Sequence, residues 1–312
     1  PILLGDPKKI QNIAIENGID IDGMPIIDPK SDEAEERRTR YGELFFEKRQ
    51  RKGFNYYESK KIMKDRLYFG CMMVETGEAD AMISGLSKNY PDTIRPALQI
   101  IGLEEGSKKV AGMYIIMTKR GPLFLADTTV NFNPTAEELA DITLMVAKEV
   151  KNFGITPCIA MLSYSNFGSS SSPEAKLVAQ AREIVKQKDP TLIVDGEVQA
   201  NVAFNKETIR DNYPFSELVN KDVNVLIFPN LAAGNVAYNL LQEVGGADAI
   251  GPILLGLEKP VHILQLGSHV RSIYNMVLIA VIDAQIKCIN KKVKEELPSG
   301  RWKRLRKISP EI

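Results

Sequence analysis

Residues 110–142 read VAGMYIIMTKRGPLFLADTTVNFNPTAEELADI, and the fold assignment depends on the pattern they show. Two apolar segments, Val110 to Thr118 and Pro122 to Ala126, are joined by Lys119-Arg120-Gly121, which predicts a hairpin-like pair of strands. Asn133 then precedes Pro134 and two acidic residues, and this order predicts a helix that Asn133 caps. Strand, polar loop and helix therefore follow one another in a single short segment.

The same alternation continues in both directions along the chain. Further strands are predicted at residues 1–5, 24–28, 79–85, 156–162, 193–197 and 224–229. Helices are predicted after Asp6, over 32–53, 92–101, 173–188 and 234–243, and over the long apolar stretch 271–290. Strands separated by helices indicate an α/β protein, with a mostly parallel sheet covered by helices on both faces.

Polar loops follow many of the predicted strands, and ligands of such sheets bind beyond the carboxyl ends of the strands. The loops are residues 84–87, 127–129, 163–166, 195–197 and 229–231. They are rich in Ser, Thr, Asn and Gly, which suits a polar ligand held by hydroxyl groups and backbone amides. Ordinary turn chemistry explains each loop singly but accounts less well for the likeness of all five.

Charge and hydropathy exclude several classes of partner. Lys plus Arg and Asp plus Glu number 40 each in 312 residues, so no net field attracts nucleic acid or an acidic membrane surface. No apolar run approaches the roughly 20 residues of a membrane span, and no signal peptide is visible. The basic run 301–307 is interpreted as a solvated extension or an interdomain contact, since the whole chain is neutral.

The cysteines and histidines indicate no metal site and no catalytic triad. Cys71, Cys158 and Cys288 are widely spaced without a CxxC pair, so neither a disulfide framework nor a zinc site is expected, and the cytoplasm is the predicted compartment. His262 and His269 lack the neighbouring groups of a triad and are interpreted as structural or surface residues.

Several segments, taken together and in order, resemble the phosphate acetyl/butyryltransferase family. They are DTIRPALQII (92–101), ADTTVNFNPTAEELADI (126–142), MLSYS (161–165), Asp195-Gly196, FPNLAAGNVAY (228–238) and IGPILLG (250–256). The resemblance implies two three-layer α/β subdomains of the kind also found in isocitrate and isopropylmalate dehydrogenases, with a ligand cleft between them. Residues 1–103 plus 254–312 would form subdomain I, and 104–253 would form an inserted subdomain II. The family's first strand and helix are absent, so the chain is expected to be a fragment.

The resemblance also implies a homodimer or a higher homo-oligomer. The apolar helix after Gly267 is expected to contribute to the contact between subunits. A helix buried in the core of one subunit would show the same apolar composition.

Coenzyme A carries a diphosphate and a 3′-phosphate, and Arg gives planar, bidentate contacts to such groups. By resemblance, Arg49 and Arg95 match family positions that contact the cofactor, although Arg49 also reads as a solvated charge in a basic run. The remaining residues expected to bind the ligand through hydrogen bonds are Asn131, Asn133, Ser163, Ser165 and Asn166. Asn133 is alternatively only a helix cap.

The family's catalytic positions are changed in this chain. The family carries a Ser-Arg-Gly stretch after Lys-Pro-Val, with an Asp further on. Aligning Lys259-Pro260-Val261 with it places Gln265 and Leu266 at the Ser and Arg positions and Ser272 at the Asp position. A base, a hydrogen-bond donor and a cation are thereby replaced, so no catalytic residue is assigned. Tyr90 stands in the phosphate-binding loop, where it would crowd an inorganic phosphate.

A combination of three motifs resembles the C-terminal domain of hybrid NADP-dependent malic enzymes. The motifs are Tyr90-Pro91 before DTIR, Asn166-Phe167-Gly168 and GSHVR (267–271). The resulting expectation is a regulatory domain that senses acetyl-CoA or coenzyme A and is not itself catalytic. An N-terminal malic enzyme domain, absent here, would be its partner and would hold the NADP and the divalent metal. The alternatives are an active phosphate acetyl- or butyryltransferase and a dimerisation module whose cleft is vestigial. Formation of acetyl phosphate separates the first alternative from a sensor.

Overall fold

The computed structural model describes residues 1–86, 89–265 and 267–296. Its helices are α1 (Pro7–Glu16), α2 (Glu35–Arg49), α3 (Tyr56–Ile62), α4 (Arg66–Thr76), α5 (Tyr90–Ile100), α6 (Ala136–Asn152), α7 (Pro173–Lys188), α8 (Ala200–Ala203), α9 (Lys206–Asn212), α10 (Leu231–Glu243) and α11 (Val270–Glu296). Its strands are β1 (Leu3–Leu4), β2 (Ile26–Ile27), β3 (Met82–Ser84), β4 (Ala111–Thr118), β5 (Gly121–Ala126), β6 (Cys158–Leu162), β7 (Ile193–Val198), β8 (Val225–Ile227), β9 (Asp248–Leu255) and β10 (Val261–Ile263). Ser87, Leu266 and the basic run 301–307, which the sequence singled out, lie outside the described residues.

The chain divides into two compact units. Unit 1 contains Pro1–Gly102 and Leu257–Leu266, and unit 2 contains Leu103–Gly256 and the chain from Gly267 onward. The predicted division put residues 254–312 with the first subdomain. In the structure only 257–266 join unit 1, whereas α11 groups with unit 2, because it packs against β9.

Unit 1 is a helical cluster around two short parallel strand pairs. β1 pairs with β2, and β3 pairs with β10, where Met82 is opposite Val261. The predicted exposed helix over 32–53 buries one side completely, since Tyr41 and Phe45 are fully inaccessible. Helix α4 was not predicted, because residues 67 to 74 are all buried and so lack the apolar and polar alternation of a surface helix.

Unit 2 contains a six-stranded sheet in the order β7-β6-β8-β5-β4-β9. β4 is antiparallel to β5 and β9, while β5, β8, β6 and β7 run parallel, which places the predicted hairpin inside a mostly parallel sheet. Helix α6 packs on α7, and both helices pack on the sheet. Helices α8, α9 and α10 form a buried cluster with residues of the sheet. The predicted α/β class is confirmed.

Two predicted helix starts show how local chemistry selects a cap. Asp6 caps α1 as predicted, since its side chain accepts the N–H groups of Lys8 and Lys9. The prediction for Asn133 is wrong. The helix begins two residues later, where Thr135 accepts the N–H of Glu138 and the Glu138 carboxylate accepts the N–H of Thr135. This reciprocal capping box satisfies two backbone donors, whereas Asn133 alone would satisfy one.

Helix α11 is apolar but mostly uncovered. Met276, Ile279 and Ala280 are buried, while Tyr274 is 62% exposed and Val281 is 48% exposed. The expectation that no apolar run approaches the length of a membrane span is wrong for this helix. Its segment Val270–Asn290 is long and apolar enough, by length and composition alone, to cross a membrane, with 22% of the apolar window buried. The helix is therefore not a core helix of unit 2.

Candidate functional site

One buried carboxylate organises the loop that follows β5. Asp127 is 2% exposed, and its Oδ1 accepts the backbone N–H groups of Gly112, Thr129 and Val130 at 3.3, 2.7 and 3.0 Å. Its Oδ2 accepts the N–H of Asn131 at 3.0 Å. Four backbone donors thus converge on one side chain, which fixes the polar loop at the carboxyl end of the strand.

The two asparagines expected to bind the ligand in this loop differ in accessibility. Asn131 is 8% exposed, and its side-chain amide donates to the backbone oxygen of Val110 at 2.9 Å and to Oδ2 of Asp127. Its amide nitrogen is therefore engaged inside the loop. Asn133 is exposed and caps no helix, so its side chain is free of that structural role.

The loop after β6 is tied to β7 by a second buried carboxylate. Glu197 is 3% exposed and accepts the hydroxyl of Ser165 at 2.8 Å and the N–H of Gly168 at 2.6 Å. The Ser165 hydroxyl is 3.1 Å from that of Ser169 and also accepts the N–H of Ser170 at 3.0 Å. Ser165 is 1% exposed, so this predicted ligand residue works inside the loop.

Ser163 and Asn166 lie in the same loop and are more accessible. Ser163 is half-buried, and its hydroxyl accepts the N–H of Ser165 at 3.3 Å. Asn166 accepts the N–H of Gln199 through Oδ1 at 2.8 Å, and this bond fixes the orientation of its side-chain amide group. The structure brings both residues, together with Ser165, to the carboxyl ends of β6 and β7.

Unit 1 holds the two predicted arginines. Arg49 ends α2, and its buried Nε–H meets no acceptor among the residues that the structure describes. Arg95 lies in the second turn of α5, where its side chain is 59% exposed and pairs with Asp92 at 3.3 Å. Burial raises the pKa of the Tyr68 phenol. The positive charges of Arg95 and Arg49 act on the same phenol and reduce this rise.

Tyr68 and Glu197 were not predicted as site residues. Tyr68 lies in the continuously apolar α4, where no pattern separated it from its buried neighbours. The sequence shows Glu197 only as part of a polar strand end, and nothing in it indicates that Ser165 is its partner.

The positions that replace the family's catalytic groups belong to different units. Gln265 is exposed at the end of unit 1, and Ser272 is half-buried in the first turn of α11 in unit 2. His262 is fully buried in β10, as expected for a structural residue, and His269 is exposed.

The chemistry of these residues suits a phosphorylated ligand. Arginines that are exposed or unpaired bind phosphate oxygens, and loops of hydroxyls and backbone amides at strand ends hold polar groups. The fold defines an α/β protein whose polar loops lie at the carboxyl ends of parallel strands.

Comparison with known proteins gives the family. The model of the phosphate acetyl/butaryl transferase family matches residues 1–281. The chain belongs to this family, as its segments had indicated.

Three relatives place the chain within the family. It is 39% identical over 284 residues to a phosphate acetyltransferase of Bacillus subtilis (strain 168), covering 91% of this chain and 86% of that protein. It is 36% identical over 287 residues to an NADP-dependent malic enzyme of Escherichia coli (strain K12), of which it spans only 38%. A phosphotransacetylase from Streptococcus pyogenes has the same fold, with a TM-score of 0.81 and 35% identity, covering 92% of this chain and 86% of that one.

These matches correct the predicted role. The expectation of a non-catalytic regulatory domain within a malic enzyme is wrong, because relatives matched over 86% of their own length are phosphate acetyltransferases. A malic enzyme partner domain, NADP and a divalent metal are likewise unsupported for this chain, since the malic enzyme match covers only a minor part of that protein.

Proposed function

We propose that this protein transfers an acyl group between coenzyme A and phosphate. The observation that carries the proposal is the match to the Bacillus subtilis phosphate acetyltransferase over 86% of that protein's length. The solved phosphotransacetylase with the same fold supports it independently.

On this proposal, Arg49 and Arg95 bind phosphate groups of coenzyme A. Support comes from the unpaired Nε–H of Arg49 and the exposed guanidinium of Arg95. A charged hydrogen bond of this kind changes affinity by about tenfold to a hundredfold. The accessible Asn133, Ser163 and Asn166 contribute hydrogen bonds to the ligand. Asn131 and Ser165 contribute by holding their loops, since their polar groups are already engaged.

The replaced positions set the expected rate. Losing one positioned acid or base costs about 10²- to 10⁴-fold, and losing a donor to an oxyanion costs about 10²- to 10³-fold. Gln265, Leu266 and Ser272 stand where the family has Ser, Arg and Asp, so we expect turnover well below the common enzymatic range of roughly 1 to 10³ s⁻¹.

The experiment compares the chain with a variant that restores the family's groups, Gln265→Ser/Leu266→Arg/Ser272→Asp. Acetyl-CoA and phosphate are supplied, and acetyl phosphate is followed by phosphorus NMR, which avoids thiol reagents that would also modify the exposed Cys288. We expect slow, phosphate-dependent formation by the wild type and at least about a hundredfold acceleration in the variant. A restored variant that binds acetyl-CoA and still makes no acetyl phosphate contradicts the proposal.

We also propose that the chain self-associates through α11. The apolar exposed positions of this helix, among them Tyr274, Val277 and Val281, would be covered by a second copy. An apolar patch of this kind is uncommon on the free surface of a monomer.

A further inference from the structure

Tyr68 contacts both of the unit 1 helices that carry the predicted arginines. Its ring lies edge-on to the ring of Phe45, with centroids 5.7 Å apart, and its hydroxyl donates to Oε1 of Gln99 at 2.7 Å. Phe45 is one turn before Arg49 on α2, and Gln99 is one turn after Arg95 on α5. Residues four apart lie on the same face of a helix, so Tyr68 contacts both arginine-bearing faces.

A second contact fixes the same pair of helices. Lys48, which precedes Arg49, donates from Nζ to the backbone oxygen of Ile100 at 3.0 Å. The C-terminal ends of α2 and α5 are thus joined beside Tyr68. Tyr68 as a whole is 9% exposed, so its side chain is held between the helices and is not a flexible surface group.

The electrostatic surroundings support the same placement. Burial raises the pKa of Tyr68. The positive charges of Arg95 and Arg49 act in the opposite direction, while Asp65 and Cys71 add to the rise. The phenol therefore keeps its proton at neutral pH and remains a donor to Gln99. The hydroxyl proton goes to Gln99.

We propose that Tyr68 is a positioning residue, which holds the helix turns of Arg49 and Arg95 in the register that lets both guanidinium groups bind the phosphates of one ligand. This inference rests on the proposed binding of coenzyme A, and it does not require that transfer occurs. Tyr68 acts through the arginines, because its ring contacts α2, which carries Arg49, and its hydroxyl contacts α5, which carries Arg95.

The test uses Tyr68→Phe, which keeps the ring contact with Phe45 and removes only the bond to Gln99. One neutral hydrogen bond contributes enough to change affinity about two- to twelvefold, so the dissociation constant for acetyl-CoA should rise by that factor. Tyr68→Leu also loses the aromatic contact and should weaken binding further. Tyr41→Phe is the matched control, because Tyr41 is another buried tyrosine of unit 1. Its ring lies edge-on to that of Phe69, with centroids 5.0 Å apart. It should leave the dissociation constant unchanged.

A double-mutant cycle separates positioning from general stability. Calorimetric titration with acetyl-CoA is made for wild type, Tyr68→Phe, Arg95→Ala and the double variant, and each thermal midpoint is recorded. If Tyr68 acts through Arg95, its effect on affinity disappears in the Arg95→Ala background. Equal effects in both backgrounds, or a lower thermal midpoint with unchanged affinity, overturn the inference.

Inorganic pyrophosphate, a minimal diphosphate, distinguishes failure of this inference from failure of the proposed function. If the wild type binds pyrophosphate but not acetyl-CoA, the proposed substrate is wrong. The affinities of wild type and Tyr68→Phe are then compared with pyrophosphate as the ligand. A wild type that binds neither probe at millimolar concentration refutes both. Binding of acetyl-CoA that Tyr68→Phe does not weaken refutes the positioning role alone.

Discussion

The substitution Asp127→Asn should destabilise unit 2 strongly, although it changes a single group. The carboxylate accepts four backbone N–H groups, from Gly112, Thr129, Val130 and Asn131, and it is 2% exposed. An asparagine keeps one acceptor oxygen and places an NH₂ group where the second oxygen was. Donors would then face a donor inside the protein.

The size of the effect follows from these contacts. A hydrogen bond to a charged group contributes about 1.5–3 kcal/mol, compared with about 0.5–1.5 kcal/mol for a neutral one, and a buried donor without a partner costs about 1–3 kcal/mol. Neutralising a buried carboxylate removes part of its desolvation cost and offsets some of this loss. We therefore expect the free energy of unfolding to fall by about 2–5 kcal/mol.

Denaturant unfolding measures the free energy, and hydrogen exchange at residues 129–131 reports the loop itself. Asp141→Asn is the control, because Asp141 pairs with Lys188 at the surface and such pairs contribute about 0–1 kcal/mol. A loss below about 1 kcal/mol for Asp127→Asn, with unchanged exchange in the loop, would refute the account of the loop.

Three further results are expected. Gly234→Ala should destabilise the protein despite the better helix propensity of alanine, because the added methyl carbon would lie 2.3 Å from the backbone oxygen of Asp127. Glu149→Gln should stabilise the protein near pH 8 by up to about 3 kcal/mol, because burial, and then Asp283, raise the pKa of Glu149 to about 7. The native state holds this proton more tightly than the unfolded chain, so the contribution of Glu149 to stability is lost as the pH rises from about 4.5 to 7. Val281→Asp should reduce self-association in sedimentation experiments, because Val281 lies on the uncovered apolar side of α11.

Each of these results has a clear opposite. A stabilising Gly234→Ala would show that the helix has room to move away from the loop. The gain from Glu149→Gln should vanish near pH 5, and a gain that is the same at both pH values would contradict the assignment; Glu137→Gln, an exposed position on the same helix, provides the pH-independent control. A wild type that is monomeric at every concentration would contradict self-association through α11.

The sequence predicted those parts of the fold that local chemistry determines. The hairpin of β4 and β5 follows from two apolar segments around Gly121, and α1 follows from Asp6 and Pro7. Helix α4 escaped prediction because burial on every side removes periodicity. The start of α6 was misplaced because two capping signals stand two residues apart, and the reciprocal pair of Thr135 and Glu138 prevails.

The site was predictable by position but not by role. Ser163, Ser165 and Asn166 do lie together at a strand end, as expected for a parallel sheet. The sequence could not show that Ser165 is occupied by Glu197, since the two are 32 residues apart in the chain and meet only in the folded sheet. Tyr68 and Gln99 are separated by 31 residues, and their bond is equally invisible before folding.

The central claim, acyl transfer between coenzyme A and phosphate, is tested most directly in the reverse direction. Acetyl phosphate and coenzyme A are mixed with the wild-type chain, and acetyl-CoA is quantified by chromatography against a reaction without protein. We expect acetyl-CoA to accumulate above that background at less than roughly 1 s⁻¹ per subunit, with saturation in coenzyme A. Accumulation no faster than in the protein-free reaction, at concentrations where calorimetry shows coenzyme A bound, would contradict the claim.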